Sequence, residues 1–127
     1  MESLYSVKLG KLIEEFHLEV LRGAANYENR AIHTEDVNRP GLQLTGFFDY
    51  FGPKRLQVIG RVETTYLSGL TAEERRQRFE ELLRHDIPAL IISRGMEPYP
   101  ECMEMAEKYD RTILRSQDTT SMLMRTI

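Results

Sequence analysis

Leu9, Leu12, Ile13 and Phe16 recur at three- and four-residue spacing, which places them on one face of a helix that Ser6 is positioned to cap. Gly10 weakens that helix without breaking its pattern. Two short strands are expected next, at Leu18 to Leu21 and at Ala31 to His33, separated by Gly23 and the polar run Asn26, Glu28, Asn29 and Arg30. The stretch Asp36-Val37-Asn38-Arg39-Pro40-Gly41 predicts an ordered turn, because Pro fixes one backbone angle and Gly accepts the positive angle that follows. An aromatic segment, Phe47, Phe48, Tyr50 and Phe51, is closed by Gly52-Pro53. Leu56, Val58 and Ile59 then predict a strand ending near Gly60.

The second half alternates more plainly. Thr71 followed by Glu74 forms a capping box, each side chain serving the other's unpaired amide, and Phe79, Leu82 and Leu83 line one face of the helix to about Arg84. Ala89-Leu90-Ile91-Ile92, introduced by Pro88, is the apolar run of a central strand buried on both faces. Tyr99, Cys102, Met103 and Ala106 predict a helix to about Tyr109, and Thr112 to Leu114 a further strand. Ser121 to Ile127 opens another amphipathic helix that stops after two turns, so the chain is expected to be a piece of a longer protein. Helix, strand, helix, strand, helix in this order implies right-handed crossovers. The expected fold is therefore an α/β domain of the three-layer type, with a mostly parallel sheet and flanking helices, over residues 1–127.

Composition narrows the function classes. Of 127 residues, 41% are apolar and 29% charged, which fits one globular core without disulfides. Seventeen Lys and Arg against 20 Asp and Glu give a net charge of −3, without the clustered positive field of a nucleic-acid binder. The longest aliphatic run, Ala89 to Ile92, is far short of a membrane span, and Met1 to Lys11 lacks the pattern of a secretory signal. A cytoplasmic location is expected, with neither membrane nor nucleic acid as partner.

His17, His33, His85 and Cys102 show no paired metal-ligand spacing, so no metal site is expected. Cys102 shares a helical face with Tyr99, Met103 and Ala106 and reads as an inert core thiol. His33, beside Thr34 and Glu35, is weighed as a general base against an ordinary histidine, and the latter is favoured. The mixed-sign run from Glu73 to Glu81 reads as a solvated face, with Glu74 and Arg78, and Arg76 and Glu80, spaced for weak ion pairs. The Phe47 to Phe51 cluster is expected to pack in a core or an interface rather than stack on a ligand. No P-loop pattern of Gly, four residues, Gly, Lys and Ser or Thr occurs. Two loops are better placed, because ligands of open parallel sheets gather at the carboxyl ends of strands. Ser93, Arg94 and Gly95 follow one strand; Arg115, Ser116, Thr119 and Thr120 close the next and enter a helix whose free amides favour an anion. Helix capping alone also explains Thr119 and Thr120.

Taken together, Arg39-Pro-Gly-Leu-Gln-Leu-Thr-Gly-Phe-Phe-Asp-Tyr-Phe, Arg55-Leu-Gln-Val-Ile-Gly, Ile87-Pro, Ile92-Ser-Arg-Gly and Leu114-Arg-Ser with Thr119-Thr120 closely resemble the amino-terminal domain of bacterial HPr kinase/phosphorylase. The resemblance runs from about Val7 to Ile127. It implies a bifunctional, hexameric enzyme that uses ATP or pyrophosphate and magnesium to phosphorylate a serine of the phosphocarrier HPr, and to dephosphorylate it by phosphorolysis, in carbon catabolite repression. In that family the P-loop, the catalytic acids and the HPr contact lie in a carboxyl-terminal kinase domain that this chain does not contain. No catalytic residue is therefore assigned here, no cofactor is expected in this piece, and the chain alone is expected to be inactive. The domain is similar to those of muramyl ligases and resembles the regulatory domains named for an Asp-Arg-Thr-Gly-Gly motif, although that literal motif is absent. Tyr109-Asp110-Arg111-Thr112 also departs from the family, which has a Gly and a Pro in this turn.

Three functions follow as expectations. The first is a non-catalytic assembly and regulatory domain packed on its own kinase domain and on neighbouring subunits. The second is a sensor of a nucleotide or phosphorylated metabolite at Ser93, Arg94, Gly95, Arg115, Ser116, Thr119 and Thr120. The third, least favoured, is a small free-standing enzyme using His33 with Asp36 or Asp49.

Overall fold

A computed structural model describes residues 6–33, 37–38 and 56–119. The Pro40-Gly41 turn, the Phe47 to Phe51 cluster, Asp36, Asp49, Thr120 and the helix expected from Ser121 lie outside the described residues.

The chain opens with strand β1 (Ser6–Lys8), helix α1 (Leu9–Glu15), strand β2 (Glu19–Arg22), a single 3-10 turn (Tyr27–Asn29) and strands β3 (Ala31–His33) and β4 (Val37–Asn38). It continues through β5 (Leu56–Ile59), α2 (Arg61–Ser68), α3 (Ala72–Leu83), β6 (Leu90–Ile92), α4 (Pro100–Tyr109) and β7 (Ile113–Arg115). Ser6 does not cap α1. It begins β1, which pairs antiparallel with β3, and Lys8 stands at the helix start without a side-chain cap. The helix begins at Leu9, so Ser6 stands two residues ahead of the capping position, opposite His33 in the strand pair.

The main sheet has five strands in the order β2-β7-β6-β5-β4. The run from β4 to β7 is parallel, as the alternation of helices and strands demands. At one edge β2 runs antiparallel to β7, with a register shift between Val20 and Arg22, so the sheet is mixed. The side chains of the central strands alternate between two cores. Leu56, Val58, Ile91 and Leu114 pack with Leu9 and Leu12 of α1 on one face. Ile59, Leu90, Ile92 and Ile113 pack with Leu67 of α2, Phe79, Leu82 and Leu83 of α3 and Cys102, Met105 and Ala106 of α4 on the other. Helices therefore cover both faces, in three layers. Phe79 is wholly buried, and burying a side chain of that size is worth about 1.5–3 kcal/mol.

Helix α3 begins where the capping box places it: the Glu74 amide donates to Thr71 Oγ1 at 3.1 Å, and the Thr71 amide to Glu74 Oε1 at 2.9 Å. Its charged face behaves otherwise than its spacing predicts. Arg76 reaches across to Glu104 of α4 at 2.7 Å, Glu80 takes Lys108 of α4 at 2.6 Å, and Arg78 pairs with Glu81 at 3.1 Å. The two helices lie side by side, so for Arg76 and Glu80 partners on α4 outcompete the i,i+4 ones, while Arg78 keeps a local partner three residues on.

Candidate functional site

Parallel strands end on the same side of a sheet, so the loops that leave β6 and β7 meet. The Ser93 amide donates to Ile59 O and the Ser116 amide to Ile92 O, carrying the ladder just past the strands. Beyond them the chain turns sharply: Arg94 and Gly95 both hold positive φ, 60° and 64°, and the Met96 amide returns to Ser93 O at 3.2 Å. A turn with two positive central angles is of the I′ kind. It aims the Arg94 amide at Asp118 O, 2.8 Å, and the Gly95 amide at Ser116 O, 2.7 Å. Ser116 Oγ in turn accepts from the Asp118 amide at 3.0 Å.

Ser93, Arg94, Gly95, Ser116 and Thr119 are thus brought into one junction. Ser93 and Ser116 are buried, Thr119 is half-buried and the Arg94 side chain is exposed. The amides of Arg94, Gly95 and Asp118 are spent within the chain, so any anion here would be met by side chains. Arg115 points to the sheet edge, where Nε and Nη2 clasp the Glu19 carboxylate at 3.0 and 3.1 Å and Nη1 reaches Glu97 at 3.1 Å. Its charge is shared by two carboxylates, and the hydrogen bond to Glu19 holds its pKa above the ordinary arginine value.

The opposite end of the sheet carries a cleft of about 420 Å³ between the segment after β2 and the amino ends of β6 and β7. Asp110 forms one wall, in a left-handed conformation at φ 55°. An aspartate tolerates that region better than most residues, which explains how this turn dispenses with glycine. The Asp110 carboxylate accepts from the Ala25 amide at 3.1 Å and from Arg22 at 3.0 Å, and these two bonds, the amide first, hold its pKa below the usual aspartate value. Thr112 Oγ1 accepts from the Ala24 amide at 3.0 Å, tying β2 to the same turn. On the other wall Arg30 and Arg111 approach Asp86, Nη1 to Oδ1, at 3.0 and 3.6 Å. The walls of this cleft come from three distant segments, so no local pattern in the sequence marks it except the unusual turn at Tyr109 to Thr112.

Cys102 is fully buried, and burial pushes its thiol up to about 12. His33 is the last residue of β3. Among the described residues no group of three His, Cys, Asp or Glu is placed to hold a metal ion, and no helix is long and apolar enough to cross a membrane.

These features define a small α/β domain with a mixed five-stranded sheet, a tight junction of loops at one end and a charged cleft at the other. The chain belongs to the HPr Serine kinase N terminus family, whose pattern matches residues 7–127. It is 44% identical over 119 residues to an HPr kinase/phosphorylase of Alkaliphilus metalliredigens, covering 94% of this chain and 38% of that protein. It is 40% identical over 121 residues to one of Caldicellulosiruptor bescii, covering 95% and 39%. A third, from Clostridium botulinum, is 42% identical over 122 residues, covering 96% and 40%. The chain therefore spans about two fifths of the length of these curated relatives. Among solved structures it is similar to the CBS and DRTGG domains of the regulatory region of a Clostridium perfringens pyrophosphatase, complexed with the activator diadenosine tetraphosphate. The TM-score is 0.63 at 18% identity, over 93% of this chain and 44% of that one, a likeness of fold.

Proposed function

We propose that this domain is a non-catalytic assembly and regulatory part of an HPr kinase/phosphorylase, the cytoplasmic enzyme that phosphorylates and dephosphorylates a serine of HPr in carbon catabolite repression. The observation that carries the reading is the extent of the match: 91–96% of this chain aligns with relatives of that name, yet fills only 37–40% of their length. Phosphoryl transfer needs a phosphate cradle and metal-binding acids. The cradle motif is not in these 127 residues, so we assign it to a carboxyl-terminal kinase domain that takes ATP or pyrophosphate with magnesium and binds HPr. This domain packs against that kinase domain and its neighbours in a hexamer.

The test has two arms. Incubated with HPr, ATP and magnesium, the chain alone is expected to form no phosphoserine. Removing the corresponding residues from an intact relative is expected to leave transfer measurable and to change oligomeric mass and response to effectors. Transfer by the chain alone, or a truncated enzyme with unchanged mass and response, overturns the proposal.

A second reading is a sensor of a nucleotide or phosphorylated metabolite at Ser93, Arg94, Gly95, Arg115, Ser116, Thr119 and Thr120. It is favoured by Arg94, an exposed arginine in a sparsely populated backbone region. A ligand that binds only the folded state raises the melting temperature. A panel of nucleotides and sugar phosphates giving no shift at saturation removes this reading.

A further inference from the structure

We propose that the cleft at the amino ends of β6 and β7 is a binding site for a phosphate group, with Arg30 and Arg111 as its two guanidinium contacts and the Asp86 carboxylate as a built-in competitor. The site is separate from the loop junction at the other end of the sheet and does not depend on the assembly role.

Both guanidiniums are positioned by the backbone. Arg111 donates from Nε to Leu83 O at 2.7 Å and from Nη2 to Arg84 O at 3.2 Å, sitting on the carbonyl end of α3, where a cation is favoured. Arg30 donates from Nη2 to Asp86 O at 2.9 Å. Nη1 of each arginine is directed to the same atom, Asp86 Oδ1. That carboxylate is 76% exposed, and an ion pair so open to water is weak. An incoming anion can replace it without dislodging either arginine.

The charges are unequal. Arg22, Arg30 and Arg111 stand against the carboxylates of Asp86 and Asp110, one positive charge in excess within a chain of net charge −3. Tetrahedral oxyanions suit a pair of guanidinium donors. Ala24, Ala25 and Ala31 keep the cleft open, and its volume of about 420 Å³ exceeds the needs of a phosphate ion, leaving space for the organic part of a small monoester.

Inorganic phosphate titrated into the 15N-labelled chain tests this. Saturable shifts are expected at the amides of residues 24–31, 85–87 and 110–112 and at the side-chain Nε of Arg30 and Arg111. Asp86→Asn removes the competitor and is expected to tighten phosphate about twofold to fivefold. Arg30→Gln is expected to weaken it about tenfold or more. Glu73→Gln, which makes the same change of charge on an exposed part of α3, is expected to leave affinity unchanged. If Arg30→Gln fails to fold, Arg30→Lys keeps the charge and loses the fork, and weakening is still expected. Methyl phosphate binding more tightly than inorganic phosphate identifies a monoester as the ligand, and equal binding identifies the free ion. Shifts that do not saturate, or that spread over the surface, overturn the proposal. So does an Asp86→Asn variant no tighter than wild type or than Glu73→Gln.

Discussion

Gly95 holds φ at +64° because two hydrogen bonds and a four-residue turn leave it no alternative, and a β-carbon there would stand 2.5 Å from Gln117 Oε1. The Gln117 amide is the far end of a flexible side chain and can move; the backbone cannot. Gly95→Ala is therefore expected to cost about 1–2 kcal/mol, the penalty of the left-handed region for a residue with a β-carbon, read as a lower urea midpoint at unchanged slope. Arg94 bears the same penalty at φ 60°. Asn is at home in such turns, so Arg94→Asn is expected to raise stability by about 0.5–1 kcal/mol. The junction's meeting was legible from the sequence, since two parallel strands must end together. Its internal bonding was not, because nothing about an arginine announces a positive φ. Cys102 shows the converse: its apolar helical neighbours disclosed burial directly. With the folded thiol at about 12 and an ordinary value near 9, the unfolded chain loses this proton first as pH rises. Stability present below about pH 9 is then lost toward pH 12, by about 1 kcal/mol per pH unit. Cys102→Ala is expected to show a shallower alkaline loss than wild type, measured by urea unfolding at pH 8, 9 and 10; equal slopes would place the thiol in contact with water.

Two helices that follow one another, α2 and α3, differ sharply in legibility. Helix α3 carries a side-chain cap and an apolar face of Phe79, Leu82 and Leu83. Helix α2 has Val62, Tyr66 and Leu67, of which Leu67 alone is buried while Val62 and Tyr66 face outward, so no apolar stripe marks it. Its start is secured by Glu63, whose Oε1 accepts from the Gly60 amide at 2.6 Å, in place of a capping Ser or Thr. Its end is secured by another helix. Arg75 of α3 donates from Nη1 to Leu67 O at 3.2 Å and to Leu70 O at 2.7 Å, and from Nε to Glu101 of α4 at 2.7 Å. The guanidinium lies 4.9 Å from the centre of the Tyr99 ring, and the Tyr99 hydroxyl donates to Thr64 O at 2.9 Å. One arginine thus joins α2, α3 and α4 through residues far apart in sequence, which is why no local pattern disclosed it. Because Glu101 is nearly buried, removing its partner strands a charge. Arg75→Ala is expected to cost about 3 kcal/mol, and Arg75→Ala with Glu101→Gln less than the sum of the two single changes; additive costs in urea unfolding would show the pair to be uncoupled.

At the scale of the whole molecule, the three layers and the parallel run β4 to β7 follow from apolar strands alternating with amphipathic helices. The direction of β2 does not, since its partner β7 lies some ninety residues further on and a four-residue strand reads alike in either direction. The charged cleft was hidden for the same reason, its arginines and aspartates being united only when α3, β2 and β7 close on one another. That closure has a consequence for acid stability. His85 lies at the end of α3 beside this region, and its pKa is lowered from 6.5 first by burial and then by Arg84 and Arg111. The unfolded chain therefore takes up a proton at His85 below about pH 6.5 that the folded chain refuses, and stability falls as pH falls. Asp110, Glu74 and Glu80 act later. Their pKa values are lowered chiefly by the Ala25 amide, the Thr71 amide and Lys108 respectively, so their contribution is present above the ordinary carboxylate range and is lost as pH drops through it. The acid limb is expected to have two steps, a first that sets in as pH falls through about 6.5 and a second below about pH 4.5. His85→Gln removes the proton uptake of the first step and leaves the second. Urea unfolding at half-unit intervals from pH 8 to pH 3.5 reads both, and a first step that survives in the variant would mean that another group near the cleft, not His85, takes up the proton.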